Sequence, residues 1–340
     1  MRCLVTGGAG YVGSHTVLAL LDAGHDVTVL DDLSTGHLRA VPAQAAFHRA
    51  DLQDLAATRT VLATGPWDAV LHFAGLSEVG TSMKRPYHYL RANGLMALNL
   101  LEACAEVGVK RFVLSSTAAL FPGGVVGEGA TPAPHSPYGE SKLFIERSLK
   151  WAERLHGMRH AILRYFNAAG ADRQGRAGED HRPETHLIPR ALEAVMGGRR
   201  LRLHGLDYPT PDGSCVRDYI HVNDLAAAHL AALDFLEERS LTCHVGSGHG
   251  FSNLQVLSTI KRVTGREVPW ERAPRRAGDP PSLVADARRL QAATGWRPLH
   301  TGQAALDDIV RTAWAWRQAH PHGYGMERSG QLVRLGGELG

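Results

Sequence analysis

Arg2-Cys3-Leu4-Val5-Thr6-Gly7-Gly8-Ala9-Gly10-Tyr11-Val12-Gly13 is the stretch that decides the fold. Its apolar start reads as a buried strand, its glycines at 7, 10 and 13 as a tight turn, and the residues from about Gly10 to Asp22 as a helix ending near Gly24. Glycine lets the main chain come close to a pyrophosphate, which then sits at the positive end of the helix. Glycine spacing alone is weak evidence, because any strand-to-helix turn can hold several. The strand before it and the helix after it give the pattern its meaning.

Working outward, apolar strands alternate with amphipathic helices through the first half. Strands are predicted at 26–30, 45–49, 68–73, 110–115 and 160–166, with a long helix at 87–106 ended by Gly108 and another at 137–155. This alternation indicates an α/β chain with a Rossmann-type, doubly wound parallel sheet. Past Asn167 the texture turns to Gly, Pro, Asp and Arg-rich loops with shorter helices at 186–196, 222–238, 253–263 and 302–318. The expected organisation is a dinucleotide-binding domain over 1–170, with a returning segment around 217–240, and a smaller, loop-rich substrate domain over 171–330. The stretch 329–340 carries few apolar anchors and is expected to fray.

Bulk properties exclude several classes. Of 340 residues, 44% are apolar and 21% charged, with a formal charge of only +3, so no nucleic-acid footprint is expected. The arginine doublets 199–200, 275–276 and 288–289 leave room for a phosphate contact. No apolar run reaches membrane-spanning length, and with a strand read from residue 2 no signal peptide is expected. Cys3, Cys104, Cys215 and Cys243 form no Cys-x-x-Cys pair and read as reduced cysteines, so a cytoplasmic protein is expected. The histidines offer no helical pair with a third ligand, so no metal is expected.

Asp31 ends the second strand 18 residues after Gly13, where a carboxylate can accept from adenosine ribose hydroxyls and would repel a 2′-phosphate. NAD is therefore the expected cofactor. Its predicted contacts are Gly7, Gly10, Tyr11, Val12, Gly13, Asp31, Asp32, Leu33 and Ser34, then Asp51 and Leu52 at the adenine, and Phe73, Ala74 and Gly75 beneath it.

Farther along, Ser136-Pro137-Tyr138-Gly139-Glu140-Ser141-Lys142 places a phenol and an ammonium four residues apart, on one face of a helix that Ser136 caps and Pro137 starts. A free phenol ionises near about 10. A neighbouring cation and the positive nicotinamide ring would lower that value and make Tyr138 a base. An isolated Tyr-x-x-x-Lys is usually a surface pair, and its place after the fifth strand of a dinucleotide fold reverses that reading.

These motifs resemble the extended short-chain dehydrogenase/reductase superfamily and, within it, the UDP-glucose 4-epimerases (UDP-galactose 4-epimerases). Further matching stretches are His72-Phe73-Ala74-Gly75-Leu76, Leu163-Arg164-Tyr165-Phe166-Asn167, 207–213, 216–222 and 275–279. The resemblance covers 1 to about 324 and implies NAD-dependent inversion at C4 of a UDP-hexose through a 4-keto sugar. Tyr138 would be the base, Lys142 its tuning partner and Thr117 the hydroxyl that orients the substrate oxygen. Asn93, Ser115 and Phe166 would line the cofactor. Asn167, His186, Leu187, Arg217, Tyr219, Arg276, Asp279 and Leu283 match substrate positions, the arginines suiting a diphosphate. A homodimer through the 87–106 and 137–155 helices is likewise implied.

Departures from the family pattern bear on substrate choice. Ser77-Glu78 stands where some members have a lysine, Phe121-Pro122 where Tyr-Gly is common, and His186 where some have asparagine. Leu283 occupies a wall position where tyrosine narrows the pocket in some members, so N-acetylated UDP-hexoses are expected to enter. A dehydratase of the superfamily would place Asp-Glu directly after the active-site threonine. Here Thr117 is followed by Ala118-Ala119, which argues against elimination. A non-catalytic NAD-binding regulator is the alternative of a different class, and the intact Tyr138, Lys142 and Thr117 set argues against it.

Overall fold

The computed structural model describes residues 1–276 and 278–325; the stretch 329–340, expected to fray, lies outside them. Its strands are β1 (Arg2–Thr6), β2 (Asp26–Asp31), β3 (Ala46–Arg49), β4 (Ala69–His72), β5 (Arg111–Thr117), β6 (Gly124–Val126), β7 (Arg159–Tyr165), β8 (Asn167–Ala169), β9 (Leu201–His204), β10 (Val216–His221), β11 (Leu241–Val245), β12 (Gly250–Ser252), β13 (Trp270–Ala273) and β14 (Ser282–Ala285). Its helices are α1 (Tyr11–Asp22), α2 (Leu55–Leu62), α3 (Val79–Lys84), α4 (Pro86–Glu106), α5 (Pro137–His156), α6 (Leu187–Val195), α7 (Val222–Phe235), α8 (Asn253–Thr264), α9 (Arg288–Thr294) and α10 (Gly302–Ala319).

Seven parallel strands form the main sheet in the order β11-β7-β5-β4-β1-β2-β3. Because strand side chains alternate between faces, Cys3, Val5, Leu71 and Val113 pack on one side with Val17 and Leu20 of α1 and Leu225 and Leu233 of α7. Leu4, Val70, Phe112 and Leu114 pack on the other with Val61 of α2, Leu100 of α4 and Leu149 of α5. Burial on both faces explains why these strands read as continuous apolar runs. Connections run to opposite sides from β1 and β4, so a crevice opens beyond their carboxyl ends, the place where such sheets bind ligands.

Two later elements complete the layers around the main sheet. Helix α7 lies against α1, and β11 forms the sheet edge beside β7. Just before α7, β10 joins a separate sheet, β12-β10-β14-β6, and also pairs with β8. A third core of Ile188, Leu192, Val256, Ile260, Ile309 and Val310 holds α6, α8 and α10 together. The short helix α2 escapes a reading by periodicity because it has only two turns; Asp54 caps it by accepting from Ala57 N–H at 3.0 Å.

Candidate active site

The glycine loop closes against the end of β4. Gly7 has φ +72°, and a Cβ there would lie 2.4 Å from the main-chain nitrogen of Ala74. A Cβ on Gly13 would lie 2.1 Å from the Gly7 carbonyl oxygen, so no side chain fits between the turn and the first helical turn. Asp31 braces this loop: its carboxylate accepts from Ala9 N–H at 3.0 Å and Leu33 N–H at 2.9 Å. Burial raises its pKa, and those two bonds oppose the rise. A bare glycine cradle at a helix start, with an acid at the end of β2, fits a dinucleotide.

Thr117 ends β5 and caps the following turn, its Oγ1 accepting from Ala119 N–H at 3.0 Å. Ser136 caps α5 by accepting from Gly139 N–H at 3.1 Å. A Cβ on Gly139 would fall 2.7 Å from the Ala119 carbonyl oxygen, so glycine there lets the start of α5 dock on the turn after Thr117. This docking brings the Tyr138 phenol beside the Thr117 side chain, near enough for that hydroxyl to favour the phenolate.

Burial pushes the Tyr138 phenol up to about 12, and the neighbouring Thr117 hydroxyl opposes it. From the sequence, Lys142 and the nicotinamide ring of bound NAD together are expected to lower this value. Among the protein's own groups desolvation dominates instead, and the Lys142 ammonium is directed to the Ser115 carbonyl at 2.9 Å. Burial pulls Lys142 down to about 8, against the attraction of Glu146. Glu146 is itself buried, accepting from Ser116 Oγ at 2.5 Å and from Arg164 at 2.9 and 2.6 Å.

A cavity of about 860 Å³ runs along these elements. Of the site residues singled out from the sequence, Leu33, Asn93 and Arg276 are outside its lining and the others line it. Leu33 turns through φ 63°, and what it contributes is the N–H that braces Asp31. Asn93 is buried; it accepts from Leu76 N–H at 2.8 Å and donates to Leu76 O at 3.0 Å and Ser141 Oγ at 2.9 Å. It therefore holds the chain beyond Gly75 in place instead of facing the cavity. Arg276 lines an adjoining hollow of about 150 Å³ together with Arg217 and Asp279. Arg217 and Asp279 face each other at 3.5 Å, and Arg217 also donates to Val216 O at 2.8 Å.

Sequence reasoning missed the 178–182 segment and Tyr324, which also line the cavity. Tyr324 accepts from Gly178 N–H at 3.0 Å across a long chain separation, for which the sequence carries no local signal. Sequence reasoning also passed over the grouping of Glu179, His181, Glu184 and His186, which bring donor atoms within 4.8 Å of one another. Their spacing follows a loop, not a helix, which is why a search for helical pairs passes over them.

Comparison with known proteins agrees with this geometry. Residues 3–243 match the NAD dependent epimerase/dehydratase family. The UDP-glucose 4-epimerase of Lacticaseibacillus casei is 46% identical over 331 residues, 96% of this chain and 99% of that protein. The Brucella ovis UDP-glucose 4-epimerase, solved in complex with NAD, is 42% identical with a TM-score of 0.87, covering 92% of this chain and 97% of that one. The Bifidobacterium longum enzyme, solved with NAD+ and UDP, is 32% identical with a TM-score of 0.90, covering 95% and 100%. With a matching family model over most of its length and near-full-length relatives, the chain belongs to the NAD dependent epimerase/dehydratase family.

Proposed function

We propose that this protein interconverts UDP-galactose and UDP-glucose by inverting C4 of the hexose. The observation that carries the reading is the Tyr138 phenol beside Thr117 on the wall of a cavity that the Gly7–Gly13 loop and Arg217 also line. Bound NAD supplies a hydride acceptor able to return what it takes.

Tyr138 accepts the proton of the C4 hydroxyl as the C4–H bond gives up its electron pair, so the sugar becomes a 4-ketone. Return of the hydride to the opposite face of that ketone, with the proton coming back from Tyr138, inverts the centre without net oxidation. Thr117 orients the substrate oxygen against the phenol. Lys142, anchored on Ser115, favours the phenolate by its charge. Arg217 and Arg276 hold the diphosphate, and Asp279 takes a nucleotide hydroxyl. Asn167, His186, Leu187 and Tyr219 line the sugar-nucleotide path. A firm hold on the diphosphate leaves the hexose free to present either face.

The same reading assigns 1–170, with the return through α7, to NAD and 171–330 to the UDP-sugar. Leu283, an aliphatic wall residue, leaves space for an N-acetyl group. Two copies pair through α4 and α5, on which Tyr87, Leu90, Leu98, Phe144, Trp151 and Leu155 are exposed. Among the described residues no helix is long and apolar enough to cross a membrane, and the four cysteines are free and buried, in keeping with a reducing, cytoplasmic setting. The test is direct: purified protein incubated with UDP-galactose should produce UDP-glucose with no net consumption of oxidant. Unchanged UDP-galactose in the presence of NAD would contradict the proposal.

A further inference from the structure

The segment that leads from β8 to α6 gathers two carboxylates and two imidazoles at one point. They alternate along Glu179-Asp180-His181-Arg182-Pro183-Glu184-Thr185-His186, and one donor atom from each of Glu179, His181, Glu184 and His186 falls within 4.8 Å of the others. His181 Nδ1 lies 3.3 Å from Glu179 Oε1 and 3.5 Å from Glu184 Oε2. His186 Nδ1 contacts Glu179 Oε1 and lies 3.8 Å from Glu184 Oε1.

Two further features point to a ligand. The side chains of Glu179 and Glu184 are only 7% and 6% exposed, an unfavourable place for two carboxylates unless something positive sits between them. Glu184 is held from one side, its Oε1 accepting from Thr185 N–H at 2.7 Å and His186 N–H at 2.8 Å. Its Oε2 and His181 Nδ1 are both buried without a hydrogen-bond partner, and they face each other. Protons shared between imidazoles and carboxylates join the groups only in pairs, and the pair that uses this oxygen is a 3.5 Å contact without hydrogen-bond geometry. One ion joins all four.

The spacing suits such an ion. Zinc with bonds of about 2.0–2.1 Å to nitrogen and oxygen in a tetrahedron sets its ligands about 3.3 Å apart. His181 Nδ1 already stands 3.3 and 3.5 Å from the two carboxylates, whereas His186 Nδ1 lies closer than that to Glu179 and would move back to admit the ion. We propose that Glu179, His181, Glu184 and His186 form a closed, structural site for a divalent transition ion of the zinc class. Nitrogen and carboxylate donors in equal number suit zinc or cobalt better than magnesium or calcium, which favour all-oxygen sets. His181 stands edge-on to Tyr11 of the glycine loop with ring centroids 6.0 Å apart, and His186 precedes the first turn of α6. The ion would therefore tie the cavity wall beside the glycine loop to the start of α6.

Metal content and spectroscopy test this without reference to turnover. Protein stripped with a chelator, returned to chelator-free buffer and titrated with zinc should retain one ion per chain at this site, and its thermal midpoint should rise. Cobalt substituted for zinc should give a visible absorption band of tetrahedral intensity. Glu184→Gln and His181→Asn should each lose the band and the zinc-dependent rise while keeping a native circular dichroism spectrum. Zinc or cobalt binding that is absent from the wild-type protein, or unchanged in both variants, would overturn the proposal. Should the variants fail to fold, the wild-type stoichiometry and the geometry reported by the cobalt spectrum decide the matter alone.

Discussion

The ammonium of Lys142 donates to the main-chain carbonyl of Ser115 at 2.9 Å, across 27 residues of sequence, in a buried site. This bond locks one end of α5 to the end of β5, and so fixes Tyr138, one helical turn earlier, beside Thr117. A charge in such a place is costly, and burial lowers its pKa from 10.5 to about 8.

That shift has a definite sign. With the folded value below the unfolded one, the unfolded chain binds more protons between about pH 8 and 10.5, so this group's contribution makes stability rise with pH across that window. Lys142→Met keeps the length of the side chain and removes the titration. The variant should gain stability relative to wild type below about pH 8 and lose that advantage by pH 10.5. Its epimerase rate should fall by about 10²-fold, the lower end of proton-transfer contributions. Denaturant midpoints measured against pH, together with initial rates, check both halves.

Arg217 faces Asp279 at 3.5 Å, a pairing that a diphosphate can share. Charge-assisted hydrogen bonds contribute roughly 1.5–3 kcal/mol each. Arg217→Ala should therefore raise KM for UDP-galactose about tenfold to a hundredfold while lowering kcat much less, since the lost contact holds substrate and transition state alike. A fall in kcat with KM unchanged would place Arg217 at the reacting centre instead.

How much of this was legible in the sequence follows from how local each feature is. The glycine turn, Asp31 and the Tyr138/Lys142 pair sit within one strand–turn–helix or one helical turn, so spacing read together with the neighbouring strands and helices predicts them. Thr117 and the arginines came from family resemblance, because no local rule marks them. The partners of Asn93 and Leu33 and the Glu179–His186 cluster were not legible, for a physical reason. Asn93 meets its partner Ser141 48 residues away, Leu33 acts through its main chain, and the cluster forms in a loop with no period. The pairing of β10 with β8, β12 and β14 was equally hidden, since a short buried strand carries no sign of its neighbours.

Leu283 packs with Phe121, Leu143 and Phe166 at the cavity wall. Leu283→Tyr should narrow that wall and reduce kcat/KM for UDP-N-acetylglucosamine by about tenfold or more, the size of effect that a modest change in an apolar pocket produces. UDP-galactose should be affected far less. Equal changes on both sugars would remove Leu283 from the set that chooses the substrate.

The exposed apolar side chains of α4 and α5 predict an oligomer. Trp151 is 58% exposed and Leu98 44%, on two helices that pack along one another. Introducing charge with Leu98→Glu and Trp151→Glu should convert a dimer to a monomer in light scattering coupled to size-exclusion chromatography. A wild-type protein already monomeric at micromolar concentration would contradict the assignment.

The central claim is that the Tyr138 phenol carries the proton of the C4 hydroxyl. Measuring UDP-galactose to UDP-glucose conversion by Tyr138→Phe, loaded with NAD and shown to be folded, tests it most directly. The account predicts a loss of about 10²–10⁴-fold in kcat, the range of positioned acid–base groups, with UDP-sugar binding retained. A variant that turns over at the wild-type rate would contradict it.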